Sequence, residues 1–238
     1  MNRRAPDNGV SATTLADGEL HVWIADLDAP RPAGEQAYRQ NLLSADERER
    51  SARFMSQRDG ARWARSRGLL RLLLGGYLSV SPAELCFQLG EHGKPELTCV
   101  PTSTSRATPG RAKLHFNLSH SQGIGLYVFA LDGAVGCDVE TLGREIDVLA
   151  VAKRALGNAV AEQLRLLGSQ HREREFLRAW VRHEARLKCW GIGLGAAAAT
   201  GVHDRDCRTI DVDVGELATA AVAAEQTPAK VECWRLHR

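Results

Sequence analysis

The chain has 238 residues, 44% of them hydrophobic and 25% charged. This is an ordinary globular composition and argues against a collagen-like, coiled-coil or wholly disordered protein. At roughly 100–200 residues per domain, it holds one large domain or two small ones. Its 31 basic and 29 acidic residues leave a net charge of +2, too small for nucleic-acid binding to be argued from bulk charge.

Residues 1–18 are polar, small and unpatterned, and read as a flexible lead-in. They contain no apolar core of a secretory signal. The six cysteines (Cys86, Cys99, Cys137, Cys189, Cys207 and Cys233) show no C-x-x-C pair and no zinc-finger spacing. The expectation is free thiols in a cytoplasmic protein. No apolar run approaches the roughly 18 residues of a membrane span.

Glu19 to Leu27 mostly alternates apolar and polar residues, which predicts a strand. Ser44-Ala-Asp-Glu47 is a capping box opening a helix to about Phe54. A second helix is predicted from about Asp59 to Tyr77, with Trp63, Leu70, Leu73, Leu74 and Tyr77 at steps of three and four. Glu84 to Leu97 reads as two short strands about the turn Glu91-His92-Gly93. Pro101 to Lys113 is rich in Thr, Ser, Pro and Gly and is the best internal linker. It suggests an N-terminal half over 19–110 and a C-terminal half over 111–238.

Asp132-Gly133 stands between two apolar runs, a strong hairpin signal, so Val135 to Glu140 is predicted to pair with the strand before it. Glu145 to Leu167 is predicted helical with a break near Gly157-Asn158, and Arg172 to Trp190 forms a further helix with a buried stripe. Three short strands are predicted near 208–214, 217–223 and 230–236. Each half reads as strand, two helices, then more strands.

Several residue groups carry chemistry. Asp138 and Glu140 are two apart on a predicted strand, so both carboxylates face one way. They are either a magnesium or manganese site or a solvated strand face. Glu184 and Lys188 are one helical turn apart, either functional or a surface ion pair. Ser119 and His120 lie in Asn-Leu-Ser-His-Ser, read as a loop able to bind an anion or as a capping segment. Lys94 sits in the tight turn Gly93-Lys94-Pro95. Arginines from Arg50 to Arg71 spread over two helices, as a phosphate-holding face or a solvated one. Neither GxxxxGK[ST], GxGxxG nor GxSxG occurs.

The order of these pieces says more than any one of them. Gly93-Lys-Pro, Phe116-Asn-Leu-Ser-His-Ser121, Val135-Gly-Cys-Asp-Val-Glu140 and Trp180-x-x-x-Glu184-Ala-x-x-Lys188 follow one another along the chain. This series resembles the 4′-phosphopantetheinyl transferase superfamily, in its larger Sfp-type branch, whose members carry two halves in one chain. The resemblance runs from about Leu42 to Leu194. It implies an α+β fold made of two similar halves related by a pseudo-twofold, with coenzyme A between them. It also implies transfer of the 4′-phosphopantetheine arm to a carrier-protein serine, with release of 3′,5′-ADP.

By the same resemblance, Asp138, Glu140 and Glu184 match magnesium ligands, with manganese as a substitute. Glu184, Lys188, His120 and Asp138 match catalytic positions, Glu184 as general base or ligand. Arg50, Arg62, Arg67, Lys94, Ser119, His120 and Lys188 match contacts to coenzyme A. The implied partner is an acyl- or peptidyl-carrier protein of fatty-acid, polyketide or nonribosomal-peptide synthesis. A cytoplasmic monomer without nucleic acid or membrane is expected. His183 stands where many members carry lysine. It is the one departure that supports the alternative, a non-catalytic relative binding coenzyme A or a carrier protein. A metal nuclease fails on spacing, because its acidic residue and lysine share a strand rather than a helix.

Overall fold

The computed structural model describes residues 3–4, 14–30, 41–91, 93–99, 113–131, 133–143, 145–192 and 207–236. β1 is the pair Arg3–Arg4. β2, Glu19–Asp26, is buried on both faces for most of its length. That exceeds the half-exposed strand its alternation suggests, because each face meets a different layer. Leu20, Val22 and Ile24 point into one core, and Trp23 and Ala25 into another.

Two helices follow, α1 at Ala45–Ala52 and α2 at Gln57–Leu78. In α1, Glu47 accepts the Ser44 N–H at 3.0 Å, as the capping box requires. The chain then forms β3 (Cys86–Leu89) and β4 (Pro95–Cys99), an antiparallel hairpin. β5 (His115–Ser121) and β6 (Ile124–Ala130) pair antiparallel, and β6 also pairs with β2.

β7 (Val135–Thr141) begins the second half. α3 (Val148–Ala155) and α4 (Asn158–Arg165) follow, separated at Gly157, whose φ of +93° breaks the expected helix where glycine allows it. α5 spans Ser169–Trp190. Strands β8 (Arg208–Val212), β9 (Ala218–Ala224) and β10 (Lys230–Leu236) complete the chain.

The halves repeat in topology. In the first, β2, a helix of 22 residues (α2), β5 and β6 give the order β2-β6-β5. In the second, β7, a helix of 22 residues (α5), β8 and β9 give β7-β9-β8. The layers run helix, sheet, sheet, helix. α2 packs Leu69, Leu70, Leu73 and Leu74 on one face of the first sheet. The opposite face packs against Val135, Cys137, Val139 and Val222 of the second sheet. α5 covers the outer side of the second sheet through Val181, Ala185 and Cys189. This is the α+β pair of similar halves that the sequence predicts. Among the described residues, no helix is long and apolar enough to cross a membrane.

Four expectations differ from the structure. β7 does not pair with β6. Both edges of β6 are taken by β2 and β5, so β7 joins β9 instead. Asn-Leu-Ser-His-Ser is strand rather than loop, because Asn117, Ser119 and Ser121 face partners on β7 rather than water. β5 and β6, expected with the C-terminal half, belong to the first sheet, as does β10. The expected division at 110/111 itself lies outside the described residues. Within the lead-in, Arg3 and Arg4 pair parallel with Trp234 and Arg235.

The second sheet and α5 meet at Gly136. A Cβ there would lie 2.0 Å from the Ala185 carbonyl oxygen and 2.3 Å from the Cys189 nitrogen. Gly136→Ala therefore forces strand and helix apart and should lower stability by about 3 kcal/mol, in the upper range for overpacking. Urea unfolding measures this, and an unchanged midpoint would contradict the contact.

Candidate active site

β5 and β7 run side by side without a shared backbone ladder. Side chains do the joining. The Cys137 N–H donates to Asn117 Oδ1 at 2.9 Å, and the Thr141 N–H to Ser121 Oγ at 3.3 Å. Ser119 Oγ donates to Asp138 Oδ1 at 2.8 Å, and Ser121 Oγ to Glu140 Oε2 at 2.8 Å. Positions 117, 119 and 121 share one strand face, so all three reach across the seam. Asn117 and Ser121 were not singled out in the sequence. Their period-two spacing with Ser119 was the available signal.

α5 brings Glu184 and Lys188 over β7. Lys188 does not merely decorate the helix. Its Nζ lies 2.6 Å from Asp138 Oδ1 and 3.2 Å from Ser119 Oγ. Burial opposes its charge most strongly, but Asp138, Cys137 and Glu184 together outweigh it and hold the ammonium above the ordinary lysine range. Asp138 is 4% exposed. Its Oδ2 and Glu184 Oε1 are buried and make no hydrogen bond. Burial first, then repulsion from Asp138, pushes Glu184 up to about 7, with Lys188 pulling the other way.

The structure thus brings Asp138, Glu184, Lys188 and Ser119 together, with Glu140 two residues along the same face of β7. Among the described residues, no three such side chains form a ready-made metal cage. The donor set nevertheless fits a hard cation. It is all carboxylate oxygen, and two of its oxygens are buried without a hydrogen-bond partner.

Ser119 and Lys188 also line a cleft of about 280 Å³ with Arg50, Trp63, Arg67, Gly93, Pro95, Leu118 and His120. A second pocket of about 280 Å³ shares Arg50, Trp63, Arg67 and Leu89 with it. Arg50 lies over the Trp63 ring, 5.3 Å from its centroid. Trp63, expected in the buried helix stripe, is therefore part of the cleft wall. His120 is exposed at the cleft, where surrounding protein and then Lys188 hold its imidazole below the ordinary range.

Three expected coenzyme A contacts have other work. Arg62 turns to Asp28, with Nε at 2.9 Å and Nη2 at 2.5 Å, and does not line the cleft. Arg67 reaches the cleft but also binds Glu47 Oε1 at 2.8 Å. Arg71 binds the other Glu47 oxygen at 2.7 Å. The Phe87 ring lies against both guanidiniums, at 4.9 and 5.0 Å. Lys94 sends its ammonium inward, to the carbonyls of Lys188 at 2.9 Å and Val135 at 3.1 Å, while Gly93 and Pro95 face the cleft.

Comparison with known proteins settles the family. A profile described as the N-terminal region of 4′-phosphopantetheinyl transferase matches residues 31–130, and one for the 4′-phosphopantetheinyl transferase superfamily matches 134–237. The chain belongs to this superfamily. It is 36% identical over 184 residues to the 4′-phosphopantetheinyl transferase HetI of Nostoc sp., covering 76% of this chain and 72% of HetI. It is 27% identical over 177 residues to a 4′-phosphopantetheinyl transferase of Bacillus subtilis, covering 74% of this chain and 72% of that one. The two profiles meet between residues 130 and 134, where the chain leaves β6 for β7.

The raised Glu184 has a consequence for stability. A glutamate in the unfolded chain releases its proton near 4.5, whereas the folded Glu184 keeps it to about 7. The unfolded state thus binds fewer protons in that window, and stability falls as pH rises through it. Glu184→Gln removes this loss. In EDTA, it should gain on the order of 1–2 kcal/mol over the parent at pH 8 and little at pH 4.5. Urea titrations at the two pH values measure this, and parallel pH dependences would contradict it.

Proposed function

We propose that this chain transfers the 4′-phosphopantetheine arm of coenzyme A to a serine of an apo acyl- or peptidyl-carrier protein, releasing 3′,5′-ADP. The observation that carries this reading is Glu184. Its carboxyl group has a buried oxygen without a hydrogen-bond partner and lies beside the Asp138–Lys188 pair, whose lysine lines a cleft with Arg50, Arg67 and His120.

A general base works best when its pKa lies near the operating pH. Glu184 takes the proton of the attacking serine hydroxyl. Lys188 holds the phosphate oxygens and supports the leaving group, since it already borders the cleft and carries a secured positive charge. Arg50, Arg67, Ser119 and His120 bind the phosphates of coenzyme A. His120, depressed below the usual range, acts as a neutral hydrogen-bond donor rather than a charge. Asp138 orients Lys188 and Ser119.

Asp138, Glu140 and Glu184 would hold magnesium, or manganese in its place, which when bound neutralises negative charge on the pyrophosphate. The carrier protein docks with its serine facing Glu184. We place the reaction in the cytoplasm and the enzyme as a monomer, because both halves of the site come from one chain.

Intact-mass spectrometry tests the reading. Apo carrier protein, coenzyme A, magnesium and this protein should yield a carrier heavier by one phosphopantetheine arm. Glu184→Ala and EDTA should each abolish the gain. No gain across several carrier types, with coenzyme A still bound, would favour the non-catalytic alternative.

A further inference from the structure

Lys94 belongs to the N-terminal half, at the turn of the β3–β4 hairpin. Its ammonium nevertheless serves the C-terminal half, donating to the carbonyls of Lys188 and Val135. Both carbonyls lie where the second sheet and α5 touch. Lys188 is in the last turn of the helix, where its carbonyl receives only the capping Gly191 N–H at 3.3 Å from the backbone and a cation is favoured. Val135 immediately precedes Gly136, the point of backbone contact with Ala185, Lys188 and Cys189. Beside it, Cys189 Sγ donates to the Ala134 carbonyl at 3.1 Å. A three-donor ammonium on a flexible stem can bridge two carbonyls on different elements.

The two elements it bridges carry the chemistry. β7 holds Asp138 and Glu140, and α5 holds Glu184 and Lys188. We propose that Lys94 is a positioning residue, a clamp that fixes β7 against the last turn of α5 and ties both to the hairpin forming the cleft wall. It acts on the reaction through Lys188 and Asp138 rather than by touching coenzyme A. The inference deepens the transferase reading and rests on it for the kinetic test alone.

Lys94→Met keeps the length of the side chain and removes the donors. Transfer kinetics should show kcat falling about tenfold or more, since small misplacements of catalytic groups cost that much. KM for coenzyme A and its Kd by calorimetry should stay within about threefold of the parent. Lys94→Arg, which keeps charge and donors, should recover part of kcat. Hydrogen exchange should rise at β7 and at the C-terminal turn of α5. If Lys94→Met fails to fold by circular dichroism, Lys94→Gln, which retains an amide donor, takes its place in the same measurements. A rise in Kd and KM for coenzyme A with kcat unchanged would overturn the clamp and restore a nucleotide contact. If the parent protein binds coenzyme A but transfers nothing, the proposed function fails. The clamp is then judged by hydrogen exchange and Kd: faster exchange at β7 and α5 with Kd held supports it, and unchanged exchange overturns it.

Discussion

Gly136 has no side chain, and the candidate site depends on that absence. It lets the β7 backbone touch α5 directly, with the place of a Cβ filled by helix backbone atoms. β9 helps from the neighbouring strand, since Ala221 and Ala223 offer the helix only methyl groups. With strand and helix this close, Asp138 lies within reach of Lys188, one helical turn beyond Glu184. Burying an acid pair with a lysine is unfavourable unless the charges are paired and the geometry is held. The holding is done by Val181, Ala185 and Cys189, which are all but fully buried. Packing of ordinary apolar residues thus sustains an electrostatic arrangement that would not assemble by itself.

The repeat shows what is special about the second half. Both long helices meet buried carboxylates. In the first half, Arg67 and Arg71 of α2 bind the two oxygens of Glu47, and Arg71 also donates to the carbonyls of Pro82 and Leu85. Every charge there has a partner, and the cluster fastens α1 and the 82–85 segment to α2, with Arg67 also bordering the cleft. In the second half, Lys188 takes one oxygen of Asp138, while Asp138 Oδ2 and Glu184 Oε1 go without hydrogen bonds. The same architecture is closed in one copy and left open in the other. An unsatisfied buried oxygen is costly, and on the transferase reading a bound cation would offset that cost.

How much of this was legible in the sequence varied with the range of the interaction. Local signals were read well. The capping box at Ser44, the helix break at Gly157 and the buried stripe ending at Trp190 depend on residues a few positions apart. The Glu184–Lys188 spacing and the shared face of Asp138 and Glu140 were also local. Partnerships across the sheets were not. Asp132-Gly133 signals a hairpin by its backbone preference, but whether a strand pairs depends on whether its neighbour has a free edge, and β6 has none. Asn117, Ser119 and Ser121 look like loop residues until β7 supplies their partners 19 or 20 positions away. Lys94 and Arg62 read as cations for a phosphate. Nothing local reveals that one faces the carbonyls of residues 135 and 188 and the other a carboxylate at residue 28.

Lys188 is shared between two demands. It neutralises Asp138, and it borders the cleft where phosphate would bind. On the transferase reading, an ammonium drawn toward phosphate leaves Asp138 less compensated, beside a Glu184 already pushed toward protonation by burial and by Asp138. The carboxylates then favour a divalent cation more strongly than before. By linkage the preference is reciprocal: a cation on the carboxylates releases Lys188 to the phosphate, so each ligand tightens the other. A site with fixed, fully paired charges, like the Glu47 cluster in the first half, has no such freedom. On the transferase reading, the open pairing in the second half would therefore couple the binding of anion and cation, which the closed pairing in the first half could not do.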